Sequence, residues 1–225
     1  MRVSERFPRE TGRDYALRML KENIINLELA PGSAISENEL ASELGLSRTP
    51  VREALIELSK VKIVDVQPQK KSLVSFIDYD MVEESRFMRN HLECAVAELA
   101  CGMASAEDLE RLSENVKLQN FYLESGSSEQ LMRLDNEFHQ TLFEIAQKPQ
   151  VFAMIQNFSI HFDRVRRMAL DSVKDLKIVQ DHAGITLAIR EDRPEEARAL
   201  MEKHLSRYKV DAAAVRSKYP QYFAE

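Results

Sequence analysis

The sequence predicts a mainly α-helical protein in two unequal parts. Residues 1–77 read as three helices plus a small β-hairpin, and residues 78–225 as an antiparallel all-α helical bundle. Three observations lead there. Apolar residues recur at helical spacing along most of the chain. The β-rich runs, KIVDVQ and SLVSFI, fall together around PQKK between Lys62 and Ile77. Beyond Asp78, caps or breakers recur near Ser105, Ser127, Pro149, Ser172 and Asp192. They divide the rest into about six helices of roughly 15–25 residues with short loops.

The first helix lies in DYALRMLKENIINLEL, where Leu17, Leu20, Ile24 and Leu27 share a face, and APGS ends it. Ser36 with Glu39 three residues on predicts a capping box opening the short helix ENELASEL, which stops at Gly45. Ser47 is expected to cap the third helix. Pro50 is tolerated in its first turn, where the N–H groups lack intrahelical partners in any case. Val51, Ala54, Leu55 and Leu58 form its buried stripe.

Composition narrows the class. The chain has 225 residues, 44% hydrophobic and 30% charged, as in an ordinary globular protein. No run approaches the roughly 18 apolar residues of a membrane span. The charged start MRVSERFPRETGRD lacks the apolar segment of a signal peptide, so a cytoplasmic protein with no membrane partner is expected. Cys94 and Cys101, seven residues apart on one helix, are separated by roughly 10 Å and beyond disulfide reach. They are expected as buried thiols. Met81, Met88, Met103, Met132, Met154, Met168 and Met201 read as core filler. Net charge is −6, but it is uneven. Residues 1–77 hold 12 Lys/Arg against 11 Asp/Glu, and residues 78–225 hold 19 against 26. Any anion-binding face is therefore local and in the first third.

A short helix, a Gly turn and a second helix suit the major groove, with the start of the second helix on base edges. There SRTPVREAL sets Arg48 and Arg52 four residues apart on one face. Arginine bonds guanine or phosphate bidentately. Ser47, Thr49 and the free N–H groups of the helix start suit phosphates. Gln69, Lys70 and Lys71 at the hairpin tip would form a wing. Charge spacing alone favours an ordinary solvated surface. The whole stretch LELAPGSAISENELASELGLSRTPVREALIELSKVKIVDVQP, however, closely resembles the winged helix-turn-helix of the GntR family of bacterial transcription regulators. The resemblance covers about residues 13–76 and implies that Arg48 and Arg52 are DNA-contacting arginines. This chain departs from the family pattern at three positions. Lys62 and Lys71 stand where the family usually has glycine, before the first wing strand and at the wing tip. Asn38 stands at a DNA-contacting position that is often Arg.

A second constellation is spread over the bundle. DNEFH places Asp135 and His139 one helical turn apart, and His182 and His204 lie on two later helices. One carboxylate and three imidazoles make a fair ligand set for Zn²⁺, Ni²⁺ or Mn²⁺. Spacing leaves core histidines equally open. The bundle also resembles the FCD effector-binding domain of the FadR-like GntR branch, six-helix subgroup. The marks are R-x-x-L-E at Arg89–Glu93, D-x-x-x-H at Asp135–His139, H-x-x-x-x-x-A-I from His182 and A-x-x-x-M-x-x-H-L ending at His204 and Leu205. That resemblance implies a metal site at Asp135, His139, His182 and His204. Arg89 then reads as a clamp for a small carboxylate effector, against a rival reading as a surface ion pair with Glu93. His91 and His161 read as structural, and Arg164, Arg166 and Arg167 are left unassigned. The expectation is a homodimeric, ligand-responsive regulator, a repressor, on a palindromic site in double-stranded DNA. The rivals are a constitutive DNA binder with a structural metal and a metal-dependent hydrolase; nothing like HExxH supports the latter.

Overall fold

The computed structural model describes residues 1–66, 71–172 and 177–223, with the backbone alone at 208–212. Helix α1 (Gly12–Ile25) opens at Thr11, whose hydroxyl accepts from Asp14 N at 3.1 Å. It ends before Leu27, which takes φ +62° and lies outside the helical stripe it was expected to complete. Gly32 takes φ +81°, which favours glycine, and a Cβ there would come within 2.7 Å of the Phe76 ring and force it to shift. Gly32 N donates to Val74 O, and Val74 N donates to Ser33 O. The helix thus closes at Asn26, ahead of the APGS turn expected to end it, and that turn leads instead into a strand, β1 (Ala34–Ile35).

That strand was not expected, since two residues leave no alternation to read. With β2 (Val64–Asp65) and β3 (Ser72–Val74) it forms a three-stranded antiparallel sheet in the order β1-β3-β2, in place of the expected two-stranded hairpin. The register pairs Ile35 with Ser72 and Val64 with Val74. Lys62, at the family's glycine position before β2, takes φ +57°.

Helix α2 (Glu37–Leu44) starts at Ser36, whose hydroxyl accepts from Glu39 N at 3.5 Å. Only half of the expected capping box forms: the Glu39 carboxylate pairs with Lys71 Nζ at 3.3 Å. Gly45 in the left-handed region (φ +64°) closes the helix. Helix α3 (Arg48–Lys60) begins after Ser47, whose hydroxyl makes no capping bond, contrary to expectation. Val51, Ala54, Leu55 and Leu58 pack against Ala16, Met19, Leu20 and Ile24 of α1, as the stripes predict.

The bundle comprises α4 (Tyr79–Cys101), α5 (Ala106–Ser125), α6 (Ser128–Ile145), α7 (Pro149–Ser172), α8 (Ile178–Arg190), α9 (Pro194–Ser206) and α10 (Tyr208–Lys218). A single 3₁₀ turn, Pro220–Tyr222, follows. Among the described residues that is seven α-helices, one more than about six. The break at Arg207 carries neither Pro nor Gly to betray it. Ser105 and Asp108 make a reciprocal capping box at the start of α5. Leu112, Phe138, Leu142, Phe143, Ile185 and Met201 lie in the bundle core. Cys94 and Cys101 are buried free thiols. Met132, Met168 and Met201 are core residues, whereas Met103 and Met154 are exposed, Met154 by 76%. A third apolar cluster joins the two parts, with Ile77, Val82, Phe162, Val165, Val215 and Phe223 in contact. Among the described residues no helix is long and apolar enough to cross a membrane.

Candidate nucleic-acid interface and metal centre

The turn at Gly45 sets α3 so that its buried stripe faces α1 and its other side faces out. Asn38, Ser47, Arg48, Thr49, Arg52 and Lys71 are all exposed. Arg48 Nη2 lies 3.3 Å from Glu37 Oε2, an exposed pair worth little in water. Arg52 has no partner among the described residues. Ser47 keeps its hydroxyl free of the helix start. The structure thus gathers these groups on one end of α2–α3. Gln69 and Lys70 lie outside the described residues, so the wing tip is represented by Lys71.

The second site sits inside the bundle, where α6 supplies Asp135 and His139, α8 supplies His182 and α9 supplies His204. All four are buried, and one ligand atom from each lies within 4.8 Å of all the others. His204 Nε2 is 3.3 Å from His182 Nε2 and 3.2 Å from His139 Nε2. The Asp135 oxygens are 3.7 Å from His139 Nε2 and 3.8 Å from His182 Nε2. Donors bound at about 2.0–2.2 Å to one ion stand roughly 3.0–3.6 Å apart as neighbours. The imidazoles already have that spacing, and the carboxylate sits slightly wider.

Tautomers are fixed from behind. His182 Nδ1 donates to Gln119 Oε1 at 2.8 Å, and His139 Nδ1 faces Glu93 Oε2 at 2.5 Å. The Gln119 bond turns the His182 Nε2 lone pair inward. His204 Nδ1 lies 3.9 Å from Asp181, which is held by Arg207. Burial pushes His182 down to about 3 and, with His182 and His139 beside it, pushes His204 well down too. Converging imidazoles, with His182 and His204 held neutral by burial, fit a cation. Burial alone would raise the Asp135 carboxyl. Arg166, whose Nη1 donates to Asp135 Oδ2 at 2.6 Å, outweighs that and holds it below the usual range.

Arg89 stands beside this centre and is only 5% exposed. Its Nε donates to Glu93 Oε1 at 2.5 Å. The i,i+4 ion pair is therefore real but buried, not the surface pair of the rival reading. Its Nη1 has no hydrogen-bond partner and is 3.9 Å from Asp163. Asp163, whose carboxyl burial pushes up, also takes Arg166 Nη2 at 3.1 Å. Glu93, Arg89, Asp163, Arg166 and Asp135 thus form one chain of alternating charge.

Arg89, Asp135, Arg166 and His204 line a chamber of about 40 Å³. Arg89, Glu93 and His139 also border a larger cleft of about 440 Å³ that reaches α1. Of the unassigned arginines, Arg166 joins the site. Arg164 is fully buried and turned away, donating to Ser75 O at 2.7 Å. Arg167 pairs with Asp171 and Asn26. His161 is structural, held against Val61 O at 2.7 Å. Sequence reasoning missed Gln119, which had no signal. It also missed Asp163, whose i,i+3 spacing to Arg166, an arginine left open between pocket and solvent, was the available hint.

Comparison with known proteins identifies the family. The family model described as bacterial regulatory proteins, gntR family, matches residues 14–74, and the FCD domain model matches residues 84–207. The HTH-type transcriptional repressor RspR of Escherichia coli (strain K12) is 30% identical over 209 residues, covering 92% of each chain. An uncharacterized HTH-type regulator in an unstable DNA locus of Streptomyces ambofaciens is 34% identical, over 96% of this chain and 91% of that one. The solved structure of E. coli McbR/YncC shares the fold at TM-score 0.80 and 21% identity, covering 93% of this chain and 99% of that one. The chain belongs to the GntR family, with an FCD domain behind its helix-turn-helix, and is a DNA-binding transcription regulator, not an enzyme.

Proposed function

We propose that this regulator is a cytoplasmic homodimeric repressor that reads a palindromic operator and releases it in response to a small carboxylate. Residues 1–77 serve as the DNA-binding part, with Arg48 and Arg52 on base edges or phosphates. Ser47 and Thr49 would meet phosphates, Asn38 would stand at a further base-contact position, and Gln69, Lys70 and Lys71 would meet the adjacent groove or backbone. Residues 78–225 form the sensing and dimerisation part. Asp135, His139, His182 and His204 would hold a divalent transition metal, Zn²⁺, Ni²⁺ or Mn²⁺. When bound, such an ion supplies a Lewis-acidic position for a carboxylate oxygen.

One observation carries the effector reading. Arg89 Nη1, Arg166 Nε and His204 Nδ1 are buried without hydrogen-bond partners, and all three residues line the chamber beside the cluster. Unpaired buried donors are costly, so a ligand with several acceptor oxygens suits them. Charge supports an anion. Glu93, Asp135 and Asp163 against Arg89 and Arg166 leave a formal −1. A divalent ion makes that +1, and a monocarboxylate restores neutrality. The effector shifts regulation only through different affinities for the DNA-competent and DNA-incompetent dimers.

The test is to select operator fragments with the purified protein, screen organic acids for release, and repeat both after chelation. Release by an acid from metal-loaded protein alone supports the reading. Operator affinity indifferent to every acid, loaded or stripped, leaves a constitutive binder. Light scattering that gives a monomer on the operator overturns the dimer.

A further inference from the structure

The chamber at the metal cluster and the cleft at the domain junction share one wall, Arg89. Their sizes differ about tenfold. At about 40 Å³ the chamber has room for roughly three waters, which suits a carboxylate group and little else. The rest of any larger effector needs space next to it. The cleft, about 440 Å³, falls in the size range of small-molecule sites. It meets Arg89, Glu93 and His139, and Ile25, Phe152, Ile155 and Ile160 give it an apolar wall beside polar side chains that include Arg18, Glu22 and Gln156. Its far wall is α1 of the DNA-binding part, through Leu17 and Lys21. Arg89 is nine-tenths buried between the two spaces, with Nη1 unpartnered.

We infer that the effector is an apolar-bodied monocarboxylic acid whose head is held at the metal, Arg89 and Arg166, and whose body lies in the junction cleft directly against α1. The head placement rests on the reading above; the occupied cleft and the contact with α1 are additional to it. The consequence is mechanical economy. A ligand in this cleft touches both parts of the chain at once, so its body can favour one placement of α1 without a relay through the bundle.

The experiment uses full-length protein loaded with Zn²⁺ and titrated calorimetrically with acetate, butanoate, hexanoate and octanoate. Dissociation constants are expected to fall about four-fold per added methylene until the cleft is filled. Leu17→Trp, which occupies the α1 side, is expected to flatten the gain for the longer acids and leave acetate binding and zinc content unchanged. Equal affinity across the series in the wild-type protein overturns the cleft, whatever the variant does. So does an unaltered slope in Leu17→Trp. Should affinity rise with length equally in zinc-loaded and chelated protein, the cleft stands and the metal-bound head fails. If none of the acids binds, both fail.

Discussion

At the scale of single residues, the two candidate sites differ in what holds them. Arg48 and Arg52 are exposed and nearly free, so the contact with DNA proposed for them breaks little inside the fold. Each Arg→Ala change is expected to cost about 1–3 kcal/mol of operator binding if the guanidinium reads a base, measured by fluorescence anisotropy at fixed salt. Wild-type binding by both variants would mean that α3 does not enter the groove. Gln119 is the opposite case. It touches no ligand, yet it is wholly buried, its Nε2 donates to Asn115 Oδ1, and its Oε1 receives His182 Nδ1–H. Gln119→Leu keeps the bulk and loses the acceptor, leaving either imidazole tautomer free. Metal affinity is expected to fall about 10–100-fold with the helical circular dichroism unchanged. Competition with a chromophoric chelator measures it, and an unaltered affinity would remove Gln119 from the site.

Among the elements, the turn into β2 and helix α7 are the informative ones. Lys62 carries a Cβ in the left-handed region, at a cost of order 1 kcal/mol. Lys62→Gly is expected to stabilise the protein by up to about 1 kcal/mol, part of the gain being lost to the looser unfolded chain. Chemical denaturation checks this, and a destabilised variant would contradict the backbone reading. In α7, His161 is neutral: unfolded, it takes a proton near 6.5, but burial pushes it down to about 4 in the fold. Between those values only the unfolded chain binds the extra proton. The group's contribution is therefore whole above about pH 6.5 and lost as pH falls to about 4. Melting temperature followed against pH should decline less steeply in this window for His161→Gln than for the wild type, and identical slopes would refute it. The long stripes of α1 and α3 were legible from the sequence because helical periodicity over three or more turns is redundant. β1 and the α9–α10 break were not, since a two-residue strand has no period and Arg207 no breaker chemistry. Asp135 and the three histidines were legible only through family motifs. Their convergence depends on how α6, α8 and α9 pack, which spacing within one helix does not encode.

At the scale of the whole molecule, the two parts are less separate than their sequences suggest. Ile160, from the middle of α7, belongs to the core formed by α1, α2, α3 and the sheet. One and four residues further along the same helix, His161 and Arg164 bond the carbonyls of Val61 and Ser75. Ile160→Ala is accordingly expected to destabilise the DNA-binding part by about 2–4 kcal/mol, read as faster amide exchange in α1 and α3. Exchange accelerated in the bundle alone would deny α7 that role. Arg164 adds a further constraint. It is fully buried, burial pushes it down to about 10, and its bonds run to a carbonyl and an imidazole. Such a cation is tolerated only where those acceptors are waiting. For anyone exchanging FCD halves between relatives, the natural scissors cut at residue 77 is therefore the wrong seam. A chimaera joined there would inherit a foreign α7 with no matching plug for this core and no cap for these carbonyls. The transplant that preserves DNA binding takes the 157–167 face of α7 along with residues 1–77, as one discontinuous graft.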